Sequence, residues 1–448
     1  PNEKIVPQVR APENVIPGKP QHFASAFSLG GIGSGVLVES HMGRPTKLEG
    51  NGEHPAGSNG SNSQVQASIL DLYDPDRSQT VKNAGRISTW NMFTEALSAQ
   101  MAAQGLKQGA GLRILTQTVT SPTLGHQLDA LRAQYPMAQW HQYEPANRDA
   151  VRAGAIAAFG EAVNTRYDFS KAKVILALDS DFTSSGQGSA RHARDFGARR
   201  KVHHGKKVSN RLYVAESSPS ATGSIADHRL AMGTAHIEAL AMRVAQGIGI
   251  NWQGSAISDT GNDHGEWINA LVKDLNKNRG ASLVVAGDQQ SPDVHALVHA
   301  INQELGNVGS TVHYSAPLEI DPVDQVASLD NLTASMQAGD VDALFIIGGN
   351  PVYDSPADID FAAGLDKVAF RVHLGPYTNE TSELCHWHLP ESHYLEAWSD
   401  VRSIDGTVSI VQPLIRPLYK SHSAHELLSA LNGKPGVPGL DIVRQYWE

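Results

Sequence analysis

The stretch ASLVVAGDQQSPDVHALVHAINQELG, residues 281–306, decides the fold class. It opens with a short apolar run, Leu283–Ala286, which is typical of a strand buried on both faces. After a polar break, apolar residues recur at helical spacing, as Val294, Leu297, Val298, Ile301 and Leu305. A buried strand followed at once by an amphipathic helix is the repeating unit of an α/β fold with a parallel sheet.

The same alternation continues on both sides of this stretch. Upstream, strands are predicted at Arg113–Thr116, Lys173–Leu178 and Arg211–Ala215, with helices near 122–134, 148–160 and 228–246. Downstream, strands are predicted at 311–314, Ala343–Ile347 and Lys367–Leu374, with a helix near 325–337. These two runs predict two doubly wound parallel-sheet domains, 111–248 and 281–400. The connecting segment 249–280 contains a further predicted helix around Glu266–Leu275.

The two ends of the chain have a different character. Residues 1–110 predict an N-terminal domain with a β-hairpin, in which strands Gly35–Glu39 and Pro45–Glu49 flank a turn at His41–Arg44. The rest of residues 1–60 is predicted to be irregular. Residues 401–448 are rich in proline and predict a peripheral wrap.

The composition limits the functions that the chain can have. Its 448 residues carry a formal net charge of -10, which argues against a nucleic-acid-binding role. Cys385 is the only cysteine, and one thiol can hold neither a four-iron cluster nor a Cys-rich zinc site. The basic segment 191–207 either docks an anionic partner or forms a solvated face. No apolar run reaches the length of a membrane span. Because the first residue is Pro rather than Met, we expect that the chain was processed or trimmed, so that any export signal lies outside this sequence.

Three short motifs lie where an α/β protein binds ligands or makes tight turns. Gly30–Gly35 (GGIGSG) can bring backbone N–H groups to a phosphate. It leads into a hairpin, however, and lacks the strand-loop-helix order of a dinucleotide fingerprint, which favours a tight turn. Asp179 and Asp181 follow a predicted strand, where they either bind a ligand or cap a loop. Gly348–Pro351 (GGNP) follow another, and either let the backbone approach a ligand or form a turn.

The segment CHWHLPESH (385–393) combines one cysteine with three histidines. In an extended segment His386 and His388 share one face, while Cys385 and Trp387 point to the other. One strand therefore cannot offer the thiol and both imidazoles to the same ion. A pair of histidines with a remote ligand stays open, but we assign no metal ligands and no catalytic residues from the sequence.

Several segments together resemble a known family. The segments GVLVESHMGRPTKLEGNGEHP (35–55), IIGGNPV (346–352) and TNETSELCHWHLPESHYLE (378–396) resemble segments that molybdopterin oxidoreductases carry in the same order. Four further segments are similar to the B subunit of bacterial alternative complex III, a quinol-oxidising respiratory assembly. They are SILDLYDPDRSQ (68–79), WHQYEPANRD (140–149), SPSATGSIADHRL (218–230) and HLPESHYLEAWSD (388–400). This similarity extends along nearly the whole chain.

The resemblance implies a molybdopterin-oxidoreductase-like α/β fold that forms the first half of such a B subunit. In that family this half has no molybdenum cofactor, so we expect a cofactor-free structural part with a vestigial cleft. The implied cleft residues are Gly348, Gly349, Asn350 and Pro351, with Thr378, Glu380 and Thr381 beside them. In the related enzymes, the segment that corresponds to 346–352 meets a pterin-linked guanosine.

The resemblance also implies partners and a location. Iron–sulfur clusters are expected in a ferredoxin-like half of the same subunit, and haem c in a multihaem cytochrome subunit. Membrane quinol-binding subunits and a terminal oxidase are the other implied partners, and the implied location is the periplasmic side of the bacterial inner membrane. Two alternatives stay open. One is an active molybdenum or tungsten bis-pterin oxidoreductase subunit with a Ser or Asp ligand; the other is a soluble nucleotide-binding α/β enzyme.

Overall fold

The computed structural model describes residues 15–57, 59–201, 209–252 and 264–448. The strands are β1 (Gln21–Leu29), β2 (Ile32–His41), β3 (Arg44–Gly50), β4 (Lys82–Asn83), β5 (Arg86–Ile87), β6 (Leu112–Thr116), β7 (Gln139–Gln142), β8 (Asn164–Tyr167), β9 (Val174–Leu178), β10 (Arg211–Glu216), β11 (His228–Ala231), β12 (Ser282–Ala286), β13 (Val312–Ser315), β14 (Ala343–Ile347), β15 (Phe370–Gly375), β16 (Trp387–Pro390), β17 (Ser399–Arg402) and β18 (Val408–Val411). The α-helices are α1 (Ser63–Tyr73), α2 (Trp90–Leu106), α3 (Pro122–Gln134), α4 (Asp149–Phe159), α5 (Ser189–Arg199), α6 (Ala221–Ser224), α7 (Ile237–Gly247), α8 (Gly265–Lys277), α9 (Pro292–Glu304), α10 (Gln325–Ala338), α11 (Pro351–Asp354), α12 (Phe361–Asp366), α13 (Glu380–Glu383), α14 (Ala424–Leu431) and α15 (Gly439–Trp447).

The larger of two parallel sheets has the strand order β5-β4-β16-β15-β14-β6-β7. Strands β16, β15, β14, β6 and β7 run parallel, and β4 and β5 add an antiparallel edge. The chain leaves β6 towards β7 and later returns to the other side of β6 with β14. The strand order therefore reverses between β6 and β14, which makes this position a topological switch point.

The smaller parallel sheet has the order β11-β10-β9-β12. From β9 the chain proceeds outward to β10 and β11, and then returns to the opposite side of β9 with β12. All three pairings are parallel. This sheet has its own switch point, between β9 and β12, at the carboxyl ends Leu178 and Ala286.

Helices cover both faces of each sheet. In β6, Ile114 packs in the core with α2, α3 and α14, while Leu115 packs in a second core with α10 and α12. In β9, Leu176 faces α7, α8 and α9, and Ile175 faces the core that includes Phe196 of α5. Successive residues of a strand point to opposite faces, so fully buried strands read as continuous apolar runs. The predicted α/β class with two doubly wound sheets is confirmed.

The sheets do not coincide with the predicted domain ranges. Strands β6 and β7 belong to the range 111–248, yet they pair with β14 of the range 281–400. Conversely, β12 of the second range completes the sheet of β9, β10 and β11. Each sheet therefore draws on both ranges. Strand composition predicts burial, but it does not predict which strands become neighbours.

Several local predictions also need correction. Residues 21–29, predicted to be irregular, form β1, which pairs antiparallel with residues 32–40 of β2. The predicted helix 228–246 begins with strand β11 and becomes α-helical only at Ile237. The predicted C-terminal wrap contains α14, whose Leu427, Leu428 and Leu431 are buried in the core of the large sheet. The proline content of residues 401–448 led to the prediction of a peripheral wrap, whereas α14 is a helix that packs inside the fold.

Candidate functional site

A cavity of about 770 Å³ lies beside the N-terminal hairpin. One wall is the turn between β1 and β2, another is the segment 144–152, and a third is the loop 184–191 at the start of α5. Residues Thr118, Asp288 and Gln289 extend it towards the carboxyl edges of both sheets. Its size is that of a small-molecule pocket, for which about 300–1,000 Å³ is usual.

The charged side chains that line this cavity are paired within the chain. Arg148 Nη1 donates to Gln187 at 2.8 Å, and its Nε lies 3.5 Å from Asp288. Arg152 lies 3.4 Å from Glu319. Arg191, Arg194, Arg199 and Arg200 all donate to acceptors in the chain. The arginines in the described part of the basic segment are therefore bonded within the fold rather than left free for an anionic partner, while Lys201 is exposed and residues 202–207 lie outside the described residues.

Glu144 also faces the cavity. Its carboxylate accepts from the backbone N–H of Thr118 at 3.3 Å and from Gln117 Nε2 at 3.2 Å. Burial raises the pKa of Glu144, and the two hydrogen bonds oppose that shift. These bonds tie the carboxyl group of Glu144 to Gln117 and Thr118, the residues that follow β6. We did not single it out from the sequence, although it follows strand β7 in the segment 140–149 that carried part of the resemblance.

The Gly30–Gly35 motif forms a tight turn, as predicted. Gly30 and Gly31 have φ values of 54° and 75° and connect Leu29 of β1 to Ile32 of β2. Two consecutive residues with positive φ are what a two-residue type I′ hairpin turn requires. The turn does border the cavity.

Asp179 occupies the switch point of the small sheet. Its Oδ1 accepts from the backbone N–H of Ser217 at 3.0 Å, and its Oδ2 accepts from Thr234 Oγ1 at 2.6 Å and Gln290 Nε2 at 3.1 Å. Its backbone oxygen accepts from Gln289 Nε2 at 2.7 Å. An ideal Cβ on Gly287, at the end of the neighbouring strand, would lie 2.1 Å from that same oxygen. Asp179 is thus bonded to residues on both sides of the switch point and occupies the position between them.

Asp181 has a loop-capping role. Its Oδ1 accepts from the backbone N–H of Thr222 at 2.9 Å and from Thr222 Oγ1 at 2.7 Å. Its backbone oxygen accepts from Ser184 and Ser185. Of the two readings of this aspartate, the structure favours the structural one.

Gly348 and Gly349 lie at the switch point of the large sheet, with φ values of 75° and 72°. The side chain of Gln117 lies over this turn, since an ideal Cβ on Gly348 would be 2.8 Å from Gln117 Oε1. Together with Asn350 and Pro351 these residues line a pocket of about 10 Å³. Such a volume holds about one water molecule. None of these four residues lines the large cavity.

The other predicted cleft residues are bonded to this turn or lie apart from it. Asn350 Nδ2 donates to Glu380 at 2.7 Å, and Asn350 Oδ1 accepts from Thr381 Oγ1 at 2.7 Å. Thr378 does not face either pocket. It accepts from Lys82 Nζ at 3.1 Å and lies 3.4 Å from Ser78 Oγ. Glu380 and Thr381 are thus bonded to the turn at Gly348–Pro351, Thr378 lies apart from it, and none of the seven predicted residues lines the large cavity.

A chain of hydrogen bonds links Thr378 to the glycine turn. Ser78 Oγ lies 2.6 Å from His388 Nε2, the Nδ1 atoms of His388 and His373 are 3.2 Å apart, and His373 Nε2 lies 3.2 Å from the carbonyl oxygen of Gly349. A carbonyl oxygen only accepts hydrogen bonds, so Nε2 of His373 carries the proton and donates to Gly349. Nδ1 of His373 then has no proton and accepts from the Nδ1–H of His388. Burial lowers the pKa of His373 to about 4 and that of His388 to about 3. Both imidazoles are therefore neutral and buttress the turn.

The histidines of segment 385–393 do not converge. His386 bonds Arg371, His388 bonds His373 and Ser78, and His393 bonds the backbone of Ser68. Across the described residues, no group of three or more His, Cys, Asp or Glu side chains has a metal-binding arrangement.

Cys385 and Trp387 pack in different cores, contrary to the predicted alternation. The reason is that β16 begins only at Trp387 and a short helix, α13, precedes it. Burial raises the pKa of the Cys385 thiol to about 12. It behaves as a small apolar side chain in the core.

Sequence reasoning missed Gln117, Gln289 and Gln290, which fill the two switch points. A usable signal existed for Gln117, because it directly follows the predicted strand Arg113–Thr116. Gln289 and Gln290 follow Leu283–Ala286 after a short loop. Polar residues just beyond buried parallel strands are candidates for ligand contact or for its replacement.

Comparisons with known proteins agree with this architecture. No protein-family model matches the chain. The chain is 26% identical, over an alignment of 462 residues, to the "Menaquinone reductase, molybdopterin-binding-like subunit" of Nitratidesulfovibrio vulgaris. That alignment covers 94% of this chain and 66% of the relative, so the chain spans about two thirds of that protein's length. Acetylene hydratase from Pelobacter acetylenicus has a similar structure, with a TM-score of 0.66 at 13% identity over 92% of this chain and 69% of that chain.

A pterin dinucleotide is the cofactor that this fold implies. Its nucleotide ends would need room at the carboxyl edges of the sheets, where open α/β sheets bind such groups. At one edge Asp179 is bonded to its surroundings, and at the other the pocket beside Gly348 has about 10 Å³. The side chains at these two switch points would therefore have to move before the nucleotide ends could enter there. Within the described residues, none of the helices is long and apolar enough to cross a membrane. The chain has the α/β fold of molybdopterin enzymes.

Proposed function

We propose that this chain is a cofactor-free structural part of a quinone-linked respiratory electron-transfer complex. The observation that carries the proposal is the similarity along 94% of the chain to a menaquinone reductase subunit that is itself named molybdopterin-binding-like. The filled switch points at Asp179 and Gly348 support the cofactor-free part of it. The finer proposal is the first half of a B subunit of alternative complex III, on the sequence segments that resemble that family.

The chemistry of the chain supports a role without electron transfer of its own. Cys385 is the only thiol of the sequence given, and its burial keeps it protonated. Iron–sulfur clusters take several thiolates. In this proposal the clusters belong to a companion ferredoxin-like half and haem c belongs to a cytochrome subunit. Quinol is oxidised in membrane subunits on the periplasmic side. In this proposal the chain holds the ferredoxin-like half, the cytochrome subunit and the membrane subunits in fixed positions relative to one another.

The experiment is to purify the native complex through an affinity tag on this chain. Subunits are identified by mass spectrometry and haem staining, and quinol oxidation is assayed with an artificial electron acceptor. We expect c-type haem and quinol oxidation to co-purify with the chain. A chain that purifies alone, without quinol oxidation or haem, would contradict the respiratory assignment.

A second measurement on the same sample tests the cofactor-free role. Molybdenum and tungsten are measured by elemental analysis, and pterin by fluorescence of an oxidised, denatured extract. We expect neither metal and no pterin at stoichiometric amounts. One equivalent of either metal together with pterin would establish the competing function, an active bis-pterin enzyme. Saturable binding of a free nucleotide would instead favour the soluble nucleotide-binding enzyme.

A further inference from the structure

The switch point of the small sheet is lined by hydrogen-bond donors that converge on one place. These donors are the backbone N–H and hydroxyl of Ser217, the hydroxyl of Thr234 and the side-chain amide of Gln290. All four lie within 2.6–3.2 Å of the two carboxylate oxygens of Asp179. Donors aimed at two oxygens of one anionic group make the arrangement of an oxyanion-binding site.

Asp179 reaches this place at a conformational cost. Its φ is 50°, in the left-handed region that a non-glycine residue rarely adopts. The neighbouring strand end carries Gly287, where a side chain would collide with Asp179. The backbone is thus held in an unfavourable region, and that position brings the carboxylate onto the donors.

We propose that the small-sheet switch point is an oxyanion site that is permanently occupied by the chain's own carboxylate, Asp179. The ligand class that the donors fit is a small carboxylate or phosphate group. Asp179 stands in the place of such a group and prevents one from binding. This inference goes beyond the proposed function and does not depend on it, because it rests on the contacts of Asp179 alone.

The test removes the internal ligand and supplies an external one. Asp179→Gly deletes the carboxylate and also relieves the positive φ, so the remaining defect is the loss of the bonds to the donors. The full protein is purified with its natural partners, and its melting temperature is measured in sodium acetate and in sodium phosphate, against sodium chloride of equal ionic strength. We expect acetate to raise the Tm of Asp179→Gly by at least about 2 °C, saturably, through binding to the folded state.

Two variants serve as controls. Asp168→Gly removes a carboxylate at the opposite, amino-terminal side of the same sheet, where it bonds Ser170, and its Tm should respond to acetate as the wild type does. Asp179→Asn keeps an acceptor on the donors and tolerates positive φ, so it should show little rescue. Phosphate rescue without acetate rescue would assign the site to phosphate groups within the proposed class.

The proposal fails if Asp179→Gly shows the same response to acetate and phosphate as the wild type and Asp168→Gly. It also fails if the wild type itself is stabilised saturably by acetate to the same extent. If Asp179→Gly gives no folded protein in chloride, the yield of folded protein in acetate becomes the measurement. An acetate-dependent yield then supports the site, and an equally low yield in both anions overturns it.

Discussion

Glu396→Gln tests a buried ion pair that joins distant segments of the chain. The side chains of Arg77 and Glu396 are 2% and 0% exposed, and Arg77 Nη2 lies 2.7 Å from Glu396 Oε2. The same Oε2 accepts from the backbone N–H of His393 at 2.9 Å, and Oε1 accepts from the N–H of Leu418 at 2.8 Å. Replacement by Gln removes the charge and leaves the size of the side chain unchanged.

We expect a loss of about 3 kcal/mol in the free energy of unfolding. Gln still accepts at Oε1, but its Nε2 group faces two donors, so two hydrogen bonds are lost at about 1.5 kcal/mol each. Removing one partner of a buried pair costs about 3–5 kcal/mol. The carbonyl oxygens of Leu72 and Glu391 still accept from Arg77 and keep the loss near the lower end.

The assay is thermal unfolding of the purified protein, followed by calorimetry. An unfolding entropy of about 2.1 cal/mol/K per residue gives about 1 kcal/mol/K for 448 residues that unfold together, so Tm should fall by about 3 °C. The matched control is Glu304→Gln, in an exposed pair with Arg279, where the loss should stay below about 1 kcal/mol.

The double variant Arg77→Met, Glu396→Gln separates the effect of the charge from that of the backbone hydrogen bonds. It should recover part of the loss, since no uncompensated Arg77 charge remains while the N–H of Leu418 keeps its acceptor. Glu396→Gln with an unchanged Tm, or a double variant as damaged as the single one, would refute the electrostatic reasoning.

Three further predictions concern the glycine turn, the thiol and pH. Gly349→Val should impair folding or assembly rather than chemistry, because φ is 72° there and strained residues cost about 1–3 kcal/mol. Gly349→Asn should have a milder effect. A variant that assembles normally but loses quinol oxidation would place chemistry at this turn. Burial raises the pKa of the Cys385 thiol to about 12, so this thiol should react with a maleimide at pH 8 only after denaturation. Cys385→Ser should leave quinol oxidation nearly intact. Rapid labelling of the native protein would contradict the burial of Cys385. Among the described residues, burial lowers the pKa of eight histidines from 6.5 to about 4 or 3. Below pH 6.5 the unfolded chain therefore takes up more protons than the folded one, and the free energy of unfolding should fall as the pH drops from 6.5 towards 4. The eight histidines are His141, His192, His295, His299, His373, His388, His393 and His425. Burial raises the pKa of Glu391 to about 7, which opposes the loss of stability at lower pH. A Tm that stays constant between pH 7 and 5 would show that these histidines do not control acid stability.

The type of most elements in the two α/β runs could be predicted from the sequence. Strand Ala343–Ile347 was predicted with its observed bounds, because all five residues are buried and read as one apolar run. The helix beginning at Pro292 carries a clear apolar stripe over its full length. The prediction of a helix over 228–246 failed at its start, where the structure has strand β11. This strand lies at a sheet edge and has exposed residues at His228 and Arg229, so no pattern of buried residues indicated a strand there.

The same distinction between local and tertiary features applies to the candidate site. The turn at Gly348–Gly349 was predicted from two adjacent glycines after a strand, and the positive φ values explain why glycine is needed there. Its predicted place in a vestigial cleft stays a prediction, and in the structure the side chain of Gln117 lies over the turn. That contact depends on β6 and β14 being neighbours, although they are more than 200 residues apart in the chain.

The sequence by itself determined the α/β class and the absence of a cysteine cluster in the chain given, because periodicity and composition are local properties that can be read residue by residue. Only the tertiary structure decided that the two sheets exchange strands between the predicted ranges, and that Asp179 meets Gln290 across 111 residues of chain. The physical reason is that hydrophobic burial is nearly indifferent to which apolar strand lies beside which. Strand order is settled by the packing of the whole chain, and strand order in turn places the polar residues at the carboxyl edges.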